Sequence, residues 1–167
     1  LVDYEQLPLV TDMMSALDKD TPVLHPDLGD NLAFQRVNEA GDIEGAFAKA
    51  HKVISAQFTT ARHTGVTLEP RSILVDWNRA ENQMTAYHAT QAPHMMQSVL
   101  AKHLDLPESR VRVICCDVGG SYGIKVHVYP DEVATAAIAR IMGRPVKFIP
   151  NRWQRFTPDT HPLDHKH

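Results

Sequence analysis

Apolar and polar positions alternate twice between residues 72 and 90. The first run is Ile73-Leu74-Val75-Asp76-Trp77 and the second Met84-Thr85-Ala86-Tyr87-His88-Ala89-Thr90, with a polar break at 78–82 between them. Two such runs joined by a short turn predict an antiparallel β-hairpin. The period then changes, because Met95, Met96, Val99, Leu100, His103 and Leu104 fall on one helical face. The methionines are read as core rather than as a redox surface. Pro107 and Glu108 separate this helix from an extended run over 110–116. A second helix is predicted over 131–142, with Pro130 at or just before its start. Val133, Ala134, Ala137, Ile138 and Ile141 would form its buried stripe, Gly143 its cap, and residues 146–149 the start of another strand.

The first sixty residues are patterned less regularly. Residues 1–10, with Pro8, read as extended, 12–17 as a short helical turn, and 19–30 as a connector punctuated by Pro22, Pro26 and Gly29. Asp42 stands at an N-cap position ahead of Ile43, Ala46, Phe47 and Ala50 at helical spacing. Val53, Ile54, Ala56 and Phe58 make 52–59 a strand candidate. No repeat or low-complexity tract interrupts the chain, and the fold class is α+β, with mixed sheets and packed helices.

Composition narrows the function classes. A chain of 167 residues with 43% apolar and 22% charged positions is long enough to bury a core and ordinary for a folded domain. A net charge of -3 without a basic block gives no reason to expect nucleic acid. No apolar run approaches the roughly 18 residues of a membrane span, and no basic-then-apolar leader opens the sequence. The two cysteines, Cys115 and Cys116, are adjacent and are expected to be buried reduced thiols, since an iron–sulfur cluster takes about four spaced thiolates.

One segment has no place in this inventory of core elements. Asp117-Val118-Gly119-Gly120-Ser121-Tyr122-Gly123-Ile124-Lys125 leaves the 110–116 run as a glycine-rich loop. Glycines permit positive φ and close backbone approach to a ligand. The spacing matches neither the phosphate loop ending in Gly-Lys-Ser/Thr nor the dinucleotide fingerprint. A cofactor loop and a tight turn both remain open on the residues alone.

Four further segments occur in order around it: Leu1-Val2-Asp3-Tyr4-Glu5-Gln6-Leu7-Pro8, Leu68-Glu69-Pro70-Arg71, Thr90-Gln91-Ala92-Pro93-His94, and Gly143-Arg144-Pro145-Val146-Lys147-Phe148 leading to Asn151-Arg152. With these five motifs the chain resembles the molybdopterin-binding large subunit of the xanthine dehydrogenase, aldehyde oxidoreductase and aerobic carbon monoxide dehydrogenase family. The resemblance implies that residues 1–20 end a preceding small α/β, hammerhead-like domain. It makes 21–30 a connector and 31–167 the first part of the molybdopterin-binding domain. It implies a molybdenum-dependent oxidoreductase that uses water-derived oxygen on an aldehyde, heterocycle or carbon monoxide-like substrate. The implied cofactor is molybdopterin, with the cytosine dinucleotide as one form. Implied partners are the rest of the large subunit and subunits or domains carrying iron–sulfur clusters and FAD, in a cytoplasmic setting.

The same resemblance assigns cofactor contact to Gln91, Gly119, Gly120, Ser121, Tyr122 and Gly123. A glutamine amide can donate a hydrogen bond without adding charge, which suits a ligand on a metal. Tyr122 matches a position that is often aromatic near metal and substrate. Ser121 and Ile124 depart from positions that are often glycine, so one or both backbones must tolerate a side chain. Val126 stands where purine-oxidising members carry an acid, which argues against xanthine-type specificity. No catalytic or metal-ligating residue is assigned. Glu69 is read as structural, Asp131 and Glu132 as first-turn helix charges, and the family's catalytic Glu is expected downstream. The histidine-rich end, Asp159-Thr160-His161-Pro162-Leu163-Asp164-His165-Lys166-His167, is a metal candidate set against a continuing strand pattern. A truncated, non-catalytic binding or assembly module is the alternative function.

Overall fold

The computed structural model describes residues 2–167, so Leu1 of the expected N-terminal extended segment lies outside the described residues. Two compact units divide the chain at Ser55, Leu1–Ser55 and Ala56–His167. In the first unit, turns occupy 13–17 and a 3-10 turn spans Pro26–Leu28. Asn31 organises the proline-rich connector: its side-chain NH2 donates to Ala16 O and Pro22 O, and its oxygen accepts from Leu24 N at 2.9 Å. Helix α1, Ile43–Lys49, begins where expected, with Asp42 accepting from Gly45 N at 2.9 Å.

The second unit contains strand β1 (Thr59–Thr60), β2 (Ile73–Asn78), β3 (Gln83–His88), helix α2 (Pro93–His103), β4 (Val111–Ile114), α3 (Pro130–Met142), β5 (Val146–Phe148), α4 (Arg152–Phe156) and β6 (His165–Lys166). Four strands form one sheet in the order β4-β3-β2-β5, and β1 pairs with β6 separately. The predicted hairpin pairs antiparallel with Val75 opposite Ala86, and Asn78 Oδ1 closes its turn on Ala80 N and Glu81 N. Strand β4 lies parallel to β3, which requires a crossover, and α2 supplies it. Helices α2 and α3 cover one sheet face, where Ile73, Val75, Trp77, Met84, Ala86, Leu100, Val111, Ala136 and Ala139 form the core.

Four expectations need correction. Residues 52–58 are not a strand: Val53, Ile54 and Phe58 are exposed, and only Thr59–Thr60 finds a partner strand. The buried stripe of α3 is rotated, with Ala134, Ile138 and Ile141 exposed while Glu132, Thr135, Ala136 and Ala139 face inward. The cause is Glu132, which an ion pair draws into the interior (below), overriding the apolar periodicity. Of the methionines at the start of α2, Met96 is fully buried but Met95 is exposed. The strand β4 stops at Ile114, so Cys115 is half-buried and Cys116 exposed rather than both enclosed.

Candidate functional site

The site grows from the place where β3 ends and α2 begins. Pro93 at the first turn of α2 leaves Thr90, Gln91 and Ala92 as a non-helical junction. Thr90 stitches it: its hydroxyl donates to Lys125 O at 2.9 Å and accepts from Ala92 N at 3.1 Å. Cys115 Sγ lies 2.8 Å from Thr90 O. Gln91 N also donates to Lys125 O, at 3.2 Å. The junction is therefore bonded to the far end of the glycine-rich loop, and the Gln91 side chain is left exposed there. Its Oε1 accepts from the Ser121 hydroxyl, whose oxygen in turn accepts from Lys125 N at 3.2 Å.

The near end of the loop is held by Glu69. Gly119 N donates to Glu69 Oε2 at 2.7 Å while Glu69 N donates to Gly119 O at 3.1 Å. A Cβ on Gly119 would sit 2.5 Å from the Cβ of Glu69, so only glycine permits this approach. The same Oε2 accepts from Lys125 Nζ at 2.7 Å, and the Lys125 side chain is 1% exposed. The lysine hydrogen bond is the main cause holding the Glu69 carboxyl below its ordinary range; partial burial opposes it, and the Gly119 amide assists.

Between these anchors the backbone takes left-handed conformations at Gly120 (φ 91), Tyr122 (φ 51) and Gly123 (φ 84). Ser121 and Ile124 do not, so the tolerance for a side chain that was expected at one or both is met without strain, and Tyr122 carries the unusual φ instead. Gly120 N and Ile124 N bond within the loop, to Val118 O and Ser121 O. Among the described residues, the amides of Ser121, Tyr122 and Gly123 and the Gln91 NH2 have no internal partner. A Cβ at Gly123 would meet nothing within 4 Å, and Tyr122 is 73% exposed. These are free donors on an open surface. Such a set can bind an anionic or acceptor-rich group through backbone approach.

Behind the loop lies a buried polar cluster built on Arg71. Its Nε donates to Asp159 at 2.7 Å, Nη1 to Glu132 at 2.7 Å and to Asp131 at 3.1 Å, and Nη2 to Asp131 at 3.0 Å. Tyr129 stacks under the guanidinium at 3.7 Å, and its hydroxyl donates to Ile124 O at 2.9 Å. Burial opposes the charge on Arg71, but its carboxylate partners outweigh that and push its pKa above the ordinary arginine value. Glu132 also meets His88 Nε2 at 3.1 Å, and Arg155 pairs with Asp159 at 3.2 Å. Arg155 Nη2 and Arg152 reach the Thr67–Leu68 backbone and hydroxyl, which fixes the segment carrying Glu69.

Of the residues singled out in the sequence, the structure brings Gln91 and Ser121 into contact and sets Gly119, Gly120, Tyr122 and Gly123 in the same loop. Glu69 was read as structural and is a support of the loop, whereas Lys125 and Arg71 were missed. Their signal was charge inside motifs that also hold Pro70 or glycines, but a charged side chain 50 residues from its partner shows no periodicity. The acidic pair Asp131 and Glu132 does stand in a first helical turn, yet Arg71 engages both. The histidine-rich end forms no metal cluster among the described residues: Asp159 is committed to Arg71 and Arg155, and His165 lies in β6. No helix among the described residues is long and apolar enough to cross a membrane.

Comparison with known proteins gives concordant matches. The family profile described as "Molybdopterin cofactor-binding domain" matches residues 24–167. The chain is 36% identical to 6-hydroxypseudooxynicotine dehydrogenase complex subunit gamma of Paenarthrobacter nicotinovorans over 99% of its own length and 20% of that protein. It is 32% identical to the carbon monoxide dehydrogenase large chain of Hydrogenophaga pseudoflava, over 90% of its length and 20% of the relative. Among solved structures, quinoline 2-oxidoreductase from Pseudomonas putida 86 superposes with a TM-score of 0.87 at 28% identity, over 99% of this chain and 21% of that one. The chain thus spans about a fifth of the length of these relatives.

Proposed function

This chain belongs to the molybdopterin cofactor-binding domain family, and we propose that Gln91 with the loop of Gly119, Gly120, Ser121, Tyr122 and Gly123 forms part of its cofactor-contact surface. The observation that carries this reading is a set of donors without partners among the described residues: the amides of Ser121, Tyr122 and Gly123 beside the NH2 of Gln91. The residues fit a pterin-type group because such a ligand is rich in acceptors and the loop is open at Gly123. When bound, the cofactor supplies the redox chemistry by which a substrate is oxidised with water-derived oxygen. The chain's own residues bind and orient. Gln91 offers uncharged donors, Glu69 and Lys125 hold the loop's two ends together, and Arg71 fixes the elements behind it.

At the level of the whole protein the reading is a molybdenum hydroxylase large subunit acting on an aldehyde, heterocycle or carbon monoxide-like substrate. It passes electrons to iron–sulfur and flavin partners, in the cytoplasm, with the cytosine dinucleotide as a candidate form of the pterin. Residues 1–20 and 31–167 would belong to successive domains joined through 21–30. Val126 offers no acceptor to a polar heterocycle, which favours substrates outside the xanthine type. Glu69 is not free for proton abstraction, since it is paired with Lys125. The catalytic base would come from elsewhere in the protein.

The test is substitution of the backbone cradle against substitution of the lysine. Gly120→Val puts a branched side chain at φ 91, where Thr67 and Tyr122 already approach, and should lower molybdenum and pterin content in the cofactor-loaded protein. Lys125→Met should leave ATP binding unchanged at nil, because Lys125 Nζ is spent on Glu69. Saturable ATP binding abolished by Lys125→Met, together with normal molybdenum in Gly120→Val, would refute the assignment.

A further inference from the structure

The Ser121 hydroxyl sits between a backbone donor and a side-chain acceptor. Its oxygen accepts from the Lys125 backbone N–H at 3.2 Å, and on its other side it contacts Gln91 Oε1. A serine hydroxyl has one proton to donate. Its oxygen already accepts from Lys125 N–H, and the proton is spent on Gln91 Oε1. The glutamine oxygen is the end turned toward the loop, and among the described residues Nε2 has no internal partner. The two ends of a carboxamide are nearly identical in shape, so steric fit alone does not choose between them. Gln91 is exposed, and among the described residues its only other hydrogen bond is through its main-chain N to Lys125 O.

We infer that Ser121 is a positioning residue that sets the amide orientation of Gln91, so that two N–H donors rather than a carbonyl oxygen face the ligand side of the loop. The inference rests on the assignment of this loop to cofactor contact. Reversing the amide would place an acceptor against an acceptor-rich ligand, losing a hydrogen bond and leaving both groups unsatisfied. The position of Ser121 is itself inherited. It lies between the left-handed residues Gly120 and Tyr122, and the lysine whose amide it accepts from is locked by its side chain to Glu69.

Two arms test this. In the isotopically labelled chain without cofactor, the Gln91 side-chain NH2 should be ordered on the fast NMR timescale, should lose that order in Ser121→Ala, and should keep it in Ser121→Thr, which retains the hydroxyl. In the cofactor-loaded protein at equal molybdenum content, Ser121→Ala should lower kcat by about 10-fold with little change in KM. In a Gln91→Ala background the same substitution should cost nothing more, because its effect passes through Gln91. Unchanged Gln91 order in Ser121→Ala, or losses that multiply in the double variant, would overturn the role. If the wild-type protein carries no pterin, the cofactor reading fails while the spectroscopic arm still decides the question for Ser121.

Discussion

The two ends of the segment from Glu69 to Gln91 are built from the same kinds of groups but treat them in opposite ways. At Arg71 every guanidinium nitrogen meets a carboxylate, an aromatic ring closes the stack, and the side chain is 1% exposed. At Gln91 the backbone is equally well tied, yet among the described residues the side-chain NH2 and the amides of Ser121, Tyr122 and Gly123 have no partners. Buried polar groups are costly unless satisfied, so the first arrangement is what a scaffold requires. Donors held in fixed positions but left free are what a binding surface requires. The contrast separates structure from function without appeal to residue type, since both ends rely on hydrogen bonds.

The largest effect should come from breaking the closed end. Arg71→Met leaves Asp131, Glu132 and Asp159 without their shared cation, and loss of one partner from a buried ionic group costs about 3–5 kcal/mol. Urea unfolding should show the midpoint collapse toward zero denaturant; a wild-type midpoint would mean that the cluster is incidental.

Next is the open end. Gln91→Ala should lower turnover of the cofactor-loaded protein by about 10- to 100-fold while leaving the unfolding midpoint nearly unchanged. Equal kinetics at full cofactor occupancy would remove Gln91 from the site. The two variants together sharpen the contrast: one should lose the fold and the other only the function.

The smallest effect lies at the Glu69–Lys125 pair that ties the two ends of the glycine-rich loop. The Glu69 pKa is depressed from about 4.5, so its ion pair with Lys125 stabilises the folded state above the unfolded pKa and loses that contribution as pH falls through the folded value. Wild type should therefore melt at a higher temperature than Glu69→Gln at neutral pH, and the two curves should converge as pH drops below 4.5. A difference independent of pH would show that the carboxylate charge is not what holds Gly119 and Lys125.

Legibility in the sequence followed the range of the interactions. The hairpin β2–β3, the caps Asp42 and Gly143 and the helix α2 were readable because each depends on neighbours a few residues apart. The stripe of α3 was misplaced because Glu132 is drawn inward by Arg71, a partner 61 residues away, which no local period reports. The strand expected at 52–59 failed for a related reason: alternation marks a strand only where another strand and a covering layer exist, and there Ile54 is 78% exposed. The loop was visible through its glycines, and Gln91 through an ordered motif. Glu69 and Lys125 were not visible as a pair, because a charged residue in sequence looks the same whether it is solvated or holds two segments together.

The central claim, that the chain meets its cofactor through the free donors of this loop, is tested most directly by amide hydrogen exchange on the protein with and without bound molybdopterin. The account predicts slowed exchange at Ser121, Tyr122 and Gly123 in the loaded form, with no change around Arg71. Identical exchange at those three amides in a preparation carrying stoichiometric pterin and molybdenum would contradict it.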